Sequence, residues 1–204
     1  MRFSFELELR DTGSCATIYS FRKDGHERSE IEKFWKKPDV QGAPDYNALR
    51  TRLYHKTEGL LHSAWWDNPN LRTGDYRTWF RDESAPHTSY SEPHVEALSA
   101  PIPQKDLENL PEPPPSLRLY LYHVDYSSFH AADFDKTQIF IIGNGGVKDV
   151  PRPQDKAELK SALNEIRYVK ERVVRRIKDK RLTIVEDGFE LEGEMYFPQL
   201  DQPI

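Results

Sequence analysis

An α+β fold follows from three features of this 204-residue chain. Two segments, Phe3–Leu9 and Leu117–His123, alternate apolar and polar residues at a period of two, as half-buried strands do. The run Ile139–Ile142 is continuously apolar, as expected of a central strand. From Ala157 to Lys178 apolar residues fall at 159, 162, 163, 166, 169, 173 and 177, a helical spacing. A chain of this length buries a core without metals or disulfides, and one domain, 1–204, accommodates the pattern.

The elements follow in order. After Phe3–Leu9, the turn Asp11-Thr12-Gly13-Ser14 leads into a second strand, Cys15–Phe21, which pairs with the first as a hairpin. Lys23-Asp24-Gly25 turns the chain again. Ser29, with Glu32 three residues on, has capping-box spacing, and Ile31, Phe34 and Trp35 stripe a helix that ends before Pro38. A second helix is expected from Asp45 to about Trp66, weakened at Gly59. Residues 67–116 lose periodicity. They read as an insertion with a short strand near Tyr76–Phe80 and a polyproline spacer at Glu112–Pro115. Thr137–Ile142 is the central strand, broken by Gly143-Asn144-Gly145-Gly146. Asp155 precedes the long helix, and Leu182–Phe197 forms a terminal β-hairpin turning at Glu186-Asp187-Gly188.

Composition narrows the function classes. The net charge of −5 and pI of about 5.8 are not those of a general nucleic-acid binder. The charge is unevenly spread, however. Residues 148–181 hold twelve Lys and Arg against six acids, whereas 182–204 hold six acids and no Lys or Arg. No apolar stretch approaches the roughly 20 residues that span a bilayer. The N-terminus alternates and carries acid early, unlike a signal peptide, so a cytoplasmic location is expected. The single cysteine, Cys15, makes neither an internal disulfide nor a structural zinc site, and its strand context marks it as a core residue.

Three groups of residues carry candidate chemistry. Arg118, Tyr120 and Tyr122 alternate on one face of the Leu117–His123 strand, with Lys148 and Arg152 leaving the end of the next strand. Cations that bind phosphate beside rings that stack on bases suit RNA. A Tyr or His serves as acid or base for attack by a 2′-hydroxyl, with Lys or Arg stabilising the charged transition state. The alternative is that the same residues solvate an exposed sheet face. The Gly143–Gly146 run matches no phosphate-binding motif, and a bulge or a turn with positive φ explains it equally well. The basic helix binds either nucleic acid or an acidic partner, or is a solvated face over which the acidic end, Glu186–Glu194, folds back. The seven histidines show no HExxH spacing, and no GxSxG nucleophile motif occurs.

The helix Ser29–Trp35, the strand Leu117–Tyr122 and the segment Ile139-Phe140-Ile141-Ile142-Gly143-Asn144-Gly145-Gly146-Val147-Lys148-Asp149 together resemble the RelE/ParE toxin superfamily, in its phage- and plasmid-borne branch. The resemblance covers about two thirds of the chain. It implies a small twisted, mainly antiparallel sheet with two N-terminal helices on one face and a long C-terminal helix. It also implies metal-independent cleavage of mRNA, often on the ribosome, without a cofactor, and neutralisation by a cognate antitoxin. On that resemblance Arg118, Lys148 and Arg152 contact phosphate, and Tyr120, Tyr122 and His123 are candidate acids or bases. Lys136, Lys156, Lys160 and Arg167 are the expected RNA-binding residues. The chain is longer and more acidic than such toxins. A non-catalytic interaction or regulatory protein on the same fold is therefore the alternative.

Overall fold

The computed structural model describes residues 2–13, 16–54, 80–82, 95–99, 114–124, 138–150, 152, 155–185 and 190–199. The N-terminal hairpin forms as expected, with β1 (Phe5–Thr12) antiparallel to β2 (Ala16–Lys23). Arg10 is an extra residue on β1, because Leu9 faces Tyr19 while Asp11 faces Ile18. The capping box also forms. The Ser29 backbone N–H donates to the Glu32 carboxylate at 2.9 Å and opens α1 (Glu30–Lys36). A one-turn helix, α2 (Pro38–Gln41), follows, with Pro38 at its first position, where the missing N–H costs nothing. The second expected helix begins on schedule as α3 (Tyr46–Tyr54), and its expected continuation to Trp66 lies outside the described residues.

The stretch read as an insertion contributes to the sheet. β3 (Phe80–Asp82) and β4 (Val95–Leu98) pair with each other, and β4 pairs with β5 (Ser116–Val124). The remainder of 67–113, Cys15, Lys136 and the turn at Glu186-Asp187-Gly188 lie outside the described residues. β6 (Gln138–Lys148) runs through the glycine segment that was expected to end it. The long helix, α4 (Ala157–Lys178), is followed by β7 (Leu182–Val185) and β8 (Glu190–Gly193), the terminal hairpin. A last short strand, β9 (Tyr196–Phe197), returns to the edge of β1.

The main sheet has seven strands in the order β3-β4-β5-β6-β2-β1-β9, and β7-β8 forms a separate two-stranded sheet. Every neighbouring pair in the main sheet is antiparallel except β2 and β6, which run parallel from Ala16 opposite Gln138 to Ser20 opposite Ile142. The sheet is thus mixed, although mainly antiparallel.

Helices cover both faces rather than one. α4 places Leu159, Leu163, Ile166, Val169 and Val173 against Phe21, Tyr120, Tyr122, Ile139 and Ile141. α1, α2 and α3 place Ile31, Phe34, Val40, Leu49 and Leu53 against Ile18, Leu117, Leu119, Leu121, Phe140 and Ile142. The strands of the middle therefore bury both faces, and each fully buried aliphatic side chain contributes about 2 kcal/mol. Phe5 and Phe197 stack at 4.5 Å, which closes the core where β9 joins β1.

β6 carries a bulge. Leu119 faces Gly145 and Leu121 faces Ile142, so Gly143 and Asn144 together oppose Tyr120. Of the two readings of the glycine run, the bulge is the one found; the described positive-φ glycines are Gly25 and Gly193. What Gly145 supplies is room. A Cβ there would lie 1.8 Å from the Arg118 carbonyl oxygen, which is backbone and cannot step aside. Gly145→Ala is therefore expected to destabilise the fold by about 3 kcal/mol, read as a lower urea midpoint. A midpoint equal to wild type would refute this close approach.

Candidate functional site

The sequence-selected residues do not converge. Tyr120 and Tyr122 are fully buried, and Arg118 is 8% exposed. The expected open face is corrected here: the tyrosines lie beneath α4, because their rings extend the apolar surface on which α4 packs. Arg118 donates to the Leu117 carbonyl at 2.8 Å and to Ser116 Oγ at 3.1 Å. It also acts on Asp45, whose buried carboxylate accepts the Leu117 N–H at 2.8 Å. Burial pushes the Asp45 carboxyl up, opposed by that N–H and by the Arg118 charge. His123 is half-buried and stacks on Phe140 at 4.7 Å, on the side of the sheet opposite Tyr122.

His123 faces Phe140, whereas Lys148 faces Ser116 at the far end of β6. Seven residues of β5, from Ser116 to His123, separate these positions, roughly 23 Å. The candidate acid or base and the candidate phosphate contacts thus sit at opposite ends of the strand pair. The basic residues do gather. Lys148 ends β6, and Arg152 is exposed in the connection, paired with Asp155 at 3.2 Å. Lys156 precedes α4 and donates to the Val147 carbonyl at 2.7 Å, with Asp149 alongside. Lys160 is exposed and Arg167 half-buried further along the helix.

A second group was not selected from sequence. β2 accompanies β6 only as far as Ile142. Ser20, the last residue of β2 paired with β6, donates its hydroxyl to the Ile142 carbonyl at 2.8 Å and accepts the Ile31 N–H at 3.2 Å, which ties the start of α1 to the sheet while β2 runs on to Lys23 beside β1. Beyond that point one side of β6 faces α1 and the start of α4 instead of a strand. Lys37 donates to the Gly145 carbonyl at 2.6 Å and pairs with Glu158 of α4. Lys156 serves the next outward carbonyl, Val147. The bulge turns the Asn144 amide onto Glu30 at 2.8 Å, and Asn144 Oδ1 accepts the Gly145 N–H at 2.8 Å.

Glu30 is the centre of this network and is 1% exposed. Lys33 donates to it at 2.6 Å, and Lys23 lies 3.7 Å away while pairing with Glu165 of α4 at 2.7 Å. Burial alone would raise the Glu30 carboxyl. The Lys33 hydrogen bond, the Lys23 charge and the Asn144 amide outweigh burial and hold it below the usual carboxylate range. At the rim, the Lys33 ammonium touches Nδ1 of His26, which is exposed. The pattern does have a trace in the sequence. Glu30, Lys33 and Lys37 fall at helical spacing, as do Glu158 and Glu165, and the two stripes carry complementary charge. Nothing in the sequence says that they face one another.

The basic helix divides in two. On its inner side Arg172 donates to the Pro198 carbonyl at 2.8 Å, and Arg176 lies 3.9 Å over the Phe197 ring and 3.6 Å from Glu194. Arg181 donates to Glu194 at 3.0 Å. The acidic end thus folds back over the C-terminal part of the helix, and these arginines hold it there. Among the described residues no cluster of three or more His, Cys, Asp or Glu is placed to hold a metal ion, and no helix is long and apolar enough to cross a membrane. No family model, characterised protein or solved structure matches the chain.

Because its folded-state pKa is depressed, Glu30 stabilises the fold fully above its unfolded value of about 4.3, and that contribution is lost as pH falls through the lower folded value. Glu30→Gln is expected to lower stability at pH 7 and to flatten the acid limb of a stability–pH curve below about pH 4. Denaturant midpoints across pH 2–7 check this. Parallel curves for variant and wild type would count against the charged network.

Proposed function

We propose that this protein is a toxin-like inhibitor of translation that acts on RNA, with mRNA as its target, as the resemblance to RelE/ParE toxins implies. The observation that supports this most directly is the grouping of Lys148, Arg152, Lys156 and Lys160 around the start of α4, continued by Arg167 along the helix. These cations lie on elements that cover or end the sheet, where a polyanion has access. Each ammonium or guanidinium that meets a phosphate releases condensed counterions, so binding of single-stranded RNA weakens with salt by about 0.7 log units per contact. On this reading the acidic terminal hairpin keeps the overall charge negative while the opposite end of α4 stays basic. A cognate antitoxin and a phage-related origin belong to the same proposal.

Burial favours a second reading, RNA binding or partner regulation without cleavage. Tyr120 and Tyr122 lie beneath α4, and His123 lies roughly 23 Å along the strand from Lys148. Among the described residues, the acid or base candidates Tyr120, Tyr122 and His123 are thus not placed with the basic group at the start of α4.

Cell-free translation with primer extension on the mRNA separates the readings. Wild type is expected to inhibit synthesis, and the double variant Lys148→Ala/Arg152→Ala is expected to need at least tenfold more protein for the same inhibition. New 5′ ends that track inhibition support the endoribonuclease. Inhibition with intact mRNA supports the binding protein. Normal translation at every concentration would sink both forms of the proposal.

A further inference from the structure

We infer that the crevice at the carboxyl ends of β2 and β6 is a phosphate-binding site, which seats one backbone phosphodiester of the RNA. The assignment of the diester to RNA rests on the reading above; the phosphate site rests on the following geometry.

β2 and β6 are the parallel neighbours of the sheet. The chain leaves β2 for α1 on one face and leaves β6 for α4 on the other. Adjacent parallel strands whose connections depart to opposite faces leave a crevice outside their carboxyl ends, where open sheets bind ligands. Here that crevice contains side chains of one chemical kind at its mouth. Lys33 and Lys37 each bring three N–H donors, and the described contacts engage two of them on each residue. The bulge turns the Asn144 amide down onto Glu30 beneath these lysines, and the exposed His26 ring sits against Lys33.

The acceptors lie beneath. Glu30 and Glu165 are buried and hold Lys33 and Lys23 from below, and the more exposed Glu158 is engaged by Lys37. What remains for an oxyanion is the third N–H of Lys33 and of Lys37, beside the partly exposed Glu158 carboxylate. The carboxylates below fix the lysines in place, so less side-chain freedom is lost when the anion arrives. A network with a purely structural role gives no reason for a solvent-exposed imidazole to rest on a lysine already bound to a buried carboxylate.

Titration of the ¹⁵N-labelled full chain with inorganic phosphate, and separately with the dinucleoside monophosphate ApA, tests the site. The His26 ring and Asn144 side-chain amide signals are expected to shift saturably with both probes. His26→Ala removes an exposed side chain and leaves the core intact. It and Lys33→Gln are each expected to raise Kd at least fivefold, while Lys178→Ala, about 30 Å away along α4, leaves Kd unchanged. Static His26 and Asn144 signals, or wild-type Kd values in both crevice variants, would overturn the site. RNA binding with these signals unmoved overturns the phosphate site and leaves the RNA reading standing. Saturable phosphate binding by a chain that neither binds RNA nor inhibits translation does the reverse.

Discussion

Half of β6 has a strand on only one side, and much of the molecule is arranged around that fact. A strand edge inside a sandwich exposes carbonyls and N–H groups that must be satisfied without water. β2 does this as far as Ile142, after which its residues Phe21–Lys23 pair with β1 but not with β6. Past the bulge, two lysine ammoniums and one asparagine side chain take its place, on the Gly145 and Val147 carbonyls and the Gly145 N–H. The lysines in turn need counter-charges, which Glu158 of α4 supplies to Lys37 and Asp149 supplies to Lys156. The polar crevice is thus the consequence of a pairing between strands that stops early, and it fixes how the helices of the two faces meet.

The fold was largely legible in the sequence, because periodicity reports burial on each element. β1, β2, α1, the middle strand and α4 all follow from it. Three things escaped, each for a physical reason. β6 outran its glycines, because glycine without positive φ fits a bulged strand as readily as a turn. Tyr120 and Tyr122 read as an open polar face, because a tyrosine hydroxyl looks polar on paper while its ring buries as a core residue. The Glu30–Lys33–Lys37 stripe was not singled out, because its partners, Asn144, Glu158 and Glu165, lie more than a hundred residues away. Pairing across that distance has no local signature. For the same reason Lys148 and Arg152 were legible as basic, but the distance separating them from His123 was not.

α4 shows how one composition serves two ends. Near its start the cations accompany the crevice and the exposed strip. Near its end Arg172 and Arg176 are buried, and with Arg181 they fasten the terminal segment through carbonyls, Glu194 and the Phe197 ring. Favourable placement of cations at a helix C-terminus adds to this. A count of basic residues along the helix merges a surface with a fastening, and burial separates them.

The parallel pairing of Ser20 with Ile142 joins residues 122 positions apart, and β9 reaches β1 from near the other end of the chain. Synthesis proceeds from the N-terminus at about 5–20 residues per second, so the first hairpin waits on the order of ten seconds before β6 leaves the ribosome. During that interval β2 presents an unmatched edge together with the apolar side chains Ile18 and Phe21. An open strand edge beside apolar side chains is the kind of surface on which nascent chains aggregate. β1 gains its outer neighbour later still, because β9 follows β6 by some fifty residues.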